Sequence, residues 1–126
     1  MKLNSIIVAL STAILTSTAI AGGNHAGDHG EADAIGQPGK AAKVNRIVIV
    51  NMSDTMRFEP ASIAVKRGET IKFIVKNSGK IKHEMFLGTE KELTEHYEAM
   101  KKNPQMEHVD ENLVAVEPGK SGEIIW

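Results

Sequence analysis

From Val44 onward the apolar residues of this chain recur with a period of two in short runs, and that period points to a fold built from strands. Ile71, Phe73 and Val75 alternate with Lys72, Ile74 and Lys76, giving an extended segment one apolar face and one largely charged face. Residues 44–52 are few and rich in Val and Ile, which again favours a strand. Ile63 and Val65 alternate with Ser62, Ala64 and Lys66 and predict a half-buried strand. The run Arg67-Gly68-Glu69 predicts a tight reversal, with Gly68 free to take a positive φ. A second turn is expected at Asn77-Ser78-Gly79-Lys80, followed by a strand over 81–87. Two more strands, 113–116 and 122–126, flank the turn Glu117-Pro118-Gly119-Lys120. In the connection 53–60, Met56 and Phe58 are expected as core anchors. Six strands with hairpin-like reversals predict an all-β, antiparallel two-sheet sandwich.

One segment departs from the strand pattern. Thr89 followed by Glu92 has the spacing of a capping box, and Leu93, Tyr97 and Met100 recur at helical spacing as one apolar stripe. Lys101, Lys102 and then Pro104 mark the end of this helix. The last strand stops at Ile124-Ile125-Trp126 with no turn after it. The expectation is an unpaired edge there, with Trp126 seeking cover.

The first residues follow a different logic. Lys2 precedes an apolar stretch, residues 6–15, and the segment closes on Ala19-Ile20-Ala21, the small-x-small pattern of a cleaved signal peptide over 1–21. Ser and Thr at 11, 12, 16, 17 and 18 dilute its hydrophobicity and argue against a membrane span. The expected destination is the periplasm, with no stable membrane anchor after cleavage. Residues 22–43 are rich in Gly and small residues and read as a flexible arm. The arm carries His25 and His29, whose imidazoles can bind copper, zinc or nickel but equally suit a solvated polar tail.

The chain's chemistry is bounded by what it lacks. It contains no cysteine, which excludes disulfides, thiolate zinc sites, iron–sulfur clusters and a thiol nucleophile. Fifteen basic against sixteen acidic residues leave a net charge of −1, with no block of one sign to attract nucleic acid. No nucleophile–base pair, paired carboxylates or phosphate loop is present. The expectation is a binding protein, not an enzyme, and a monomer.

Taken together, Met56-Arg57-Phe58-Glu59-Pro60, the segment 63–73, Asn77-Ser78-Gly79 and His83-Glu84-Met85-Phe86 resemble the first half of a cupredoxin, and Val116 to Gly122 with Trp126 resembles the segment before the last hairpin of that family. The helix between two strands is most similar to the exported copper-tolerance cupredoxins. The resemblance covers 44–126 and implies a Greek-key cupredoxin-like sandwich that is incomplete at its C-terminus, with the last strands and the copper loop outside this chain. It also implies a type-1 copper site of two His, a Cys thiolate and an axial Met. Of these ligands only one has a counterpart here, His83, at the position of the first His.

By itself, His83 on the apolar face of Ile81, Met85 and Leu87 reads first as a satisfied core histidine; the resemblance makes it a ligand position. Met85 reads as core, His96 as structural or surface, and Met106 with His108 as an ordinary loop. Single-electron transfer is implied by the family, although the full type-1 set is not in this chain. The alternatives are a non-redox copper-buffering protein, using His25, His29, His83, Met85, Met106 and His108, and a metal-free β-sandwich binding module. The partners implied are a redox protein or a copper-handling protein. Lys66, Lys72, Lys76, Lys80 and Lys82 form a mostly solvated face that an acidic partner could use.

Overall fold

The structure, a computed structural model, describes residues 34–107 and 109–126. The segment 1–21 expected to be a signal peptide, His25, His29 and His108 lie outside the described residues. Among the described residues six strands form, β1 (Arg46–Ser53), β2 (Arg57–Glu59), β3 (Ile71–Asn77), β4 (His83–Phe86), β5 (Leu113–Val116) and β6 (Ser121–Ile125), with one α-helix, α1 (Glu90–Lys102), between β4 and β5. One sheet runs β2-β1-β3-β6 and the other pairs β4 with β5. The architecture is an all-β, sandwich-like fold with one helix.

The period of two places the core. On β3, Ile71, Phe73 and Val75 are buried, as are Val50 and Met52 on β1 and Ile124 on β6. Met85 and Val116 join them from the second sheet. The sheets approach closely at Gly122, where a Cβ would lie 2.5 Å from Val114 Cγ2 and 3.3 Å from Val116 Cγ2. A side chain there would push the layers apart.

The sheet is not wholly antiparallel. β1 and β3 run parallel, in register from Arg46↔Ile71 to Met52↔Asn77, because residues 54–70 cross from the end of one to the start of the other. The strand expected at 62–66 does not form. Arg46 donates to Ala64 O at 2.8 Å, and the Glu69 carboxylate accepts from Lys66 N at 2.8 Å. Side chains thus take the place of a ladder. That Lys66 N–H, seconded by Arg46, holds the Glu69 carboxyl below its usual range. Ile63 still packs on the core, whereas Val65 is exposed. The turn after it has the expected geometry, with Gly68 at φ 89°.

The sixth strand is instead β2, which pairs antiparallel with the end of β1. Being short and at the sheet edge, it is poorly covered: Met56, just before it, is 73% exposed and Phe58, within it, 42%. Neither is a core anchor.

The helix begins as its sequence predicts. Thr89 Oγ1 accepts from Glu92 N at 3.3 Å, and Glu92 Oε2 accepts from Thr89 N at 2.7 Å. Its apolar stripe is not a packing face, since Leu93 and Tyr97 are exposed and no residue of α1 is fully buried. Among the described residues no helix is long and apolar enough to cross a membrane.

Trp126 is covered from an unexpected side. Its backbone extends the β3–β6 ladder by exchanging hydrogen bonds with Ile71 at 2.8 and 2.9 Å. Its indole Nε1–H donates to Ile35 O at 2.6 Å, and Gly39 N donates to Ile125 O at 2.9 Å. Residues 35–39, part of the arm expected to be flexible, therefore lie against the end of β6.

Two outcomes follow for stability. Phe73→Ala removes a buried ring and should cost about 3–5 kcal/mol in denaturant unfolding, against within about 0.5 kcal/mol for the exposed Met56→Ala. Thr89→Ala should weaken α1 by about 1 kcal/mol. Because α1 buries little, that loss should appear as faster amide exchange in its first turn with almost no change in Tm.

Candidate metal centre

The site is built where β1 and β3 end on the same side of the sandwich. Asn77, the last residue of β3, is buried and uses its amide fully. Its Nδ2 donates to Ile81 O and Val116 O, both at 2.8 Å, and its Oδ1 accepts from Gly79 N at 2.9 Å. These bonds shape residues 78–82 and pin them to β5. The chain is thereby returned across the end of the sandwich so that β4 starts at His83, opposite Val116.

His83 is 8% exposed and meets a carboxylate. Asp54, the residue after β1, places its Oδ1 2.9 Å from the imidazole Nε2, within hydrogen-bond distance. The same carboxylate accepts from Lys80 N, at 3.0 Å on Oδ1 and 2.8 Å on Oδ2. The Lys80 N–H, and after it the bond from His83, hold the Asp54 carboxyl below the usual carboxylate range. Gly79 makes this approach possible, because a Cβ there would lie 2.8 Å from Asp54 Cγ and 3.0 Å from His83 Nε2. Ser78 anchors the turn to β1 through its N–H to Met52 O at 2.9 Å.

His83 does not sit in a closed apolar interior. It lines a groove of about 680 Å³ together with Met56, Glu84, Met100, Met106 and Glu107. It also lines a smaller recess of about 100 Å³ on the side of β2, with Met52 and Phe58. The chain has six methionines. Met52 and Met85 belong to the core, while Met56, Met100 and Met106 all border the groove that His83 lines.

The far wall of the groove hangs on α1 and the loop after it. His96 Nε2 lies 2.6 Å from Glu84 Oε1, and its ring stacks on Phe86 with centroids 4.6 Å apart. His96 is thus a structural link between α1 and β4. Lys82 reaches Glu107 at 3.1 Å and Glu117 at 3.7 Å, and Glu107 chiefly holds its ammonium above the ordinary lysine range. Lys72 likewise pairs with Glu123 at 3.5 Å, so the lysine face is partly neutralised.

Among the described residues no three His, Asp or Glu side chains cluster closely enough to hold a metal ion. His83 meets Asp54 and a methionine-bordered groove. Neither Asp54 nor Gly79 stands out in the sequence. The only trace is a glycine two residues after Asn77, which reads as turn chemistry and nothing more.

No family model matches the chain. It is 51% identical over 107 residues to the copper-resistant cuproprotein CopI of Rubrivivax gelatinosus, covering 83% of this chain and 65% of that protein. To the CopI of Pseudomonas aeruginosa it is 35% identical over 127 residues, covering 78% and 68%. The chain belongs to the CopI family of copper-resistant cuproproteins. The CopI of Vibrio cholerae is 34% identical over 93 residues, 73% of this chain and 55% of that protein. The chain therefore spans about two thirds or less of the length of these curated relatives.

Within this CopI-family chain, the geometry of the site depends on Asn77. Asn77→Ala strips a partner from two carbonyls and one N–H at once and should cost on the order of 2–3 kcal/mol. Asn77→Asp, which sets a carboxylate against the carbonyls of Ile81 and Val116, should cost more. Urea unfolding of the two variants checks both the loss and its order.

Proposed function

We propose that this chain is a copper-binding protein of the copper-tolerance type, exported to the periplasm, in which His83 is a copper donor and the chain's own role is to bind and buffer the metal. The observation that carries this reading is the placement of His83: a nearly buried imidazole at the end of the sandwich that nevertheless lines a groove bordered by three thioethers. Imidazole and thioether suit copper, and thioether in particular suits Cu(I). The names of the CopI relatives support the copper role, and residues 1–21 support export.

Electron transfer through a type-1 site is the finer reading that the cupredoxin resemblance favours, and the residues present do not fit it. That site needs a thiolate, and this chain has no cysteine. Binding without redox cycling is what its own donors can support. His83 supplies one fixed nitrogen, while the long, unbranched side chains of Met56, Met100 and Met106 can adapt around it.

Anaerobic titration of the apo chain with Cu(I) against a chromogenic chelator should show one bound equivalent. Copper at about a hundredfold over its Kd should stabilise the chain by about 2.7 kcal/mol. His83→Gln should weaken binding at least tenfold, with the metal-free Tm reporting separately on folding. Unchanged affinity in a folded His83→Gln, or a wild-type Tm indifferent to copper, would exclude the proposal.

A further inference from the structure

We propose that Met56 is the thioether that joins His83 in holding Cu(I), and that it sets the preference of the groove for that ion over harder divalent metals. The inference rests on reading His83 as a copper donor and names the residue that supplies its soft partner.

The hairpin between β1 and β2 dictates an unusual backbone at this position. Ser53 pairs with Arg57 across it, so Asp54, Thr55 and Met56 form a three-residue loop. Met56 N donates to Ser53 O at 3.0 Å, and Met56 takes φ 59°, the left-handed third position that such loops characteristically give to glycine. It is the only non-glycine residue with positive φ among the described residues. A side chain there costs backbone energy that glycine would not. Burial does not offset that cost, because Met56 is mostly exposed. The fold gains little from this side chain, so its use is to be sought in what it borders.

Met56, His83 and Glu84 are the residues shared by the large groove and the smaller recess. Met52, the other methionine of the recess, is packed in the core. Met100 and Met106 border only the groove, from α1 and the loop after it. The hairpin loop is instead tied to the imidazole itself. Asp54 Oδ1 lies 2.9 Å from His83 Nε2, and the Asp54 carboxylate accepts from Lys80 N. Within the same loop Ser53 Oγ and Thr55 Oγ1 are 2.7 Å apart. Two residues beyond the Asp54 anchor, Met56 therefore extends a flexible thioether from a fixed backbone, on the rim of both spaces that His83 lines. Thioether sulfur is a soft donor, which favours Cu(I) and adds little for Zn(II).

Two substitutions in the full chain separate the sulfur from the backbone. Met56→Leu keeps the bulk and the left-handed φ and removes the sulfur. It should weaken Cu(I) binding at least tenfold, leave Zn(II) binding within twofold, and leave the metal-free Tm unchanged. Met56→Gly should lose the same Cu(I) affinity yet raise the metal-free Tm by about 2–4 °C, because glycine relieves the backbone. Carbon-13 NMR of methionine-methyl-labelled chain reads the contact directly. Cu(I), which is diamagnetic, should shift the Met56 ε-methyl resonance more than those of Met100 and Met106.

Unchanged Cu(I) affinity in Met56→Leu would overturn the inference, as would a copper shift at Met100 or Met106 with Met56 unmoved. In both cases a loss of affinity in His83→Gln would still stand, and His83 would remain a donor. A lower Tm in metal-free Met56→Gly would show that the fold needs the side chain and would overturn the inference by that route. No Cu(I) binding by the wild type would instead remove the copper reading on which the inference rests.

Discussion

The buried amide of Asn77 is the point on which the rest of the site hangs. An amide removed from water costs free energy unless its donors and acceptor are met. Here they are met by three backbone groups from two segments, Gly79 N, Ile81 O and Val116 O. Its backbone adds two more links, donating to Lys120 O and accepting from Gly119 N. One residue at the end of β3 thereby fixes the turn into β4, the end of β5 and the turn into β6. His83 inherits its position from that junction, and the Lys80 N–H that orients Asp54 belongs to the same turn.

Much of the core was legible because burial in a strand has a simple period. The alternation at 71–75 marks Ile71, Phe73 and Val75, and all three are buried. The capping box at Thr89 and Glu92 was legible for a similar reason, since both partners lie within one turn of chain. Alternation at Ile63 and Val65 misled because it records which side chains face inward without saying whether a strand lies alongside. Arg46, remote in sequence, and Glu69, just beyond the segment, take up its backbone groups in place of a neighbouring strand. The same limit explains Met56 and Phe58, apolar residues just before and within an edge strand too short to be covered.

Of the candidate site, only the imidazole was legible in the sequence. The cupredoxin resemblance singled out His83, but the carboxylate that faces it comes from the end of a different strand. Asp54 and His83 are 29 positions apart and are joined by the parallel pairing of β1 with β3, which the expected antiparallel order did not contain. Once that pairing is in place, Ser53 and Asn77 end their strands side by side, and the loops that follow must meet. The role of Gly79 is equally non-local, being defined by atoms of Asp54 and His83 and not by the turn in which it sits.

The two walls of the groove differ in what holds them, and that difference bears on how it can receive a metal. His83 belongs to the strand pair β4–β5, tied by Asn77, Asp54 and the core. Met106 follows α1, a helix with no fully buried residue, in a segment that reaches β4 through Lys82 and Glu107. Exposed ion pairs of that kind, screened by solvent, contribute little. Stability is then graded across the groove, high at the imidazole and low at the loop thioether. On the proposal that copper binds in this groove, the fixed nitrogen would have little conformational freedom left to lose, whereas the thioethers could rearrange around the ion at small cost. On that same proposal the asymmetry would suit reversible uptake better than redox cycling, because a site that lets its soft donors move does not hold the metal geometry constant between oxidation states.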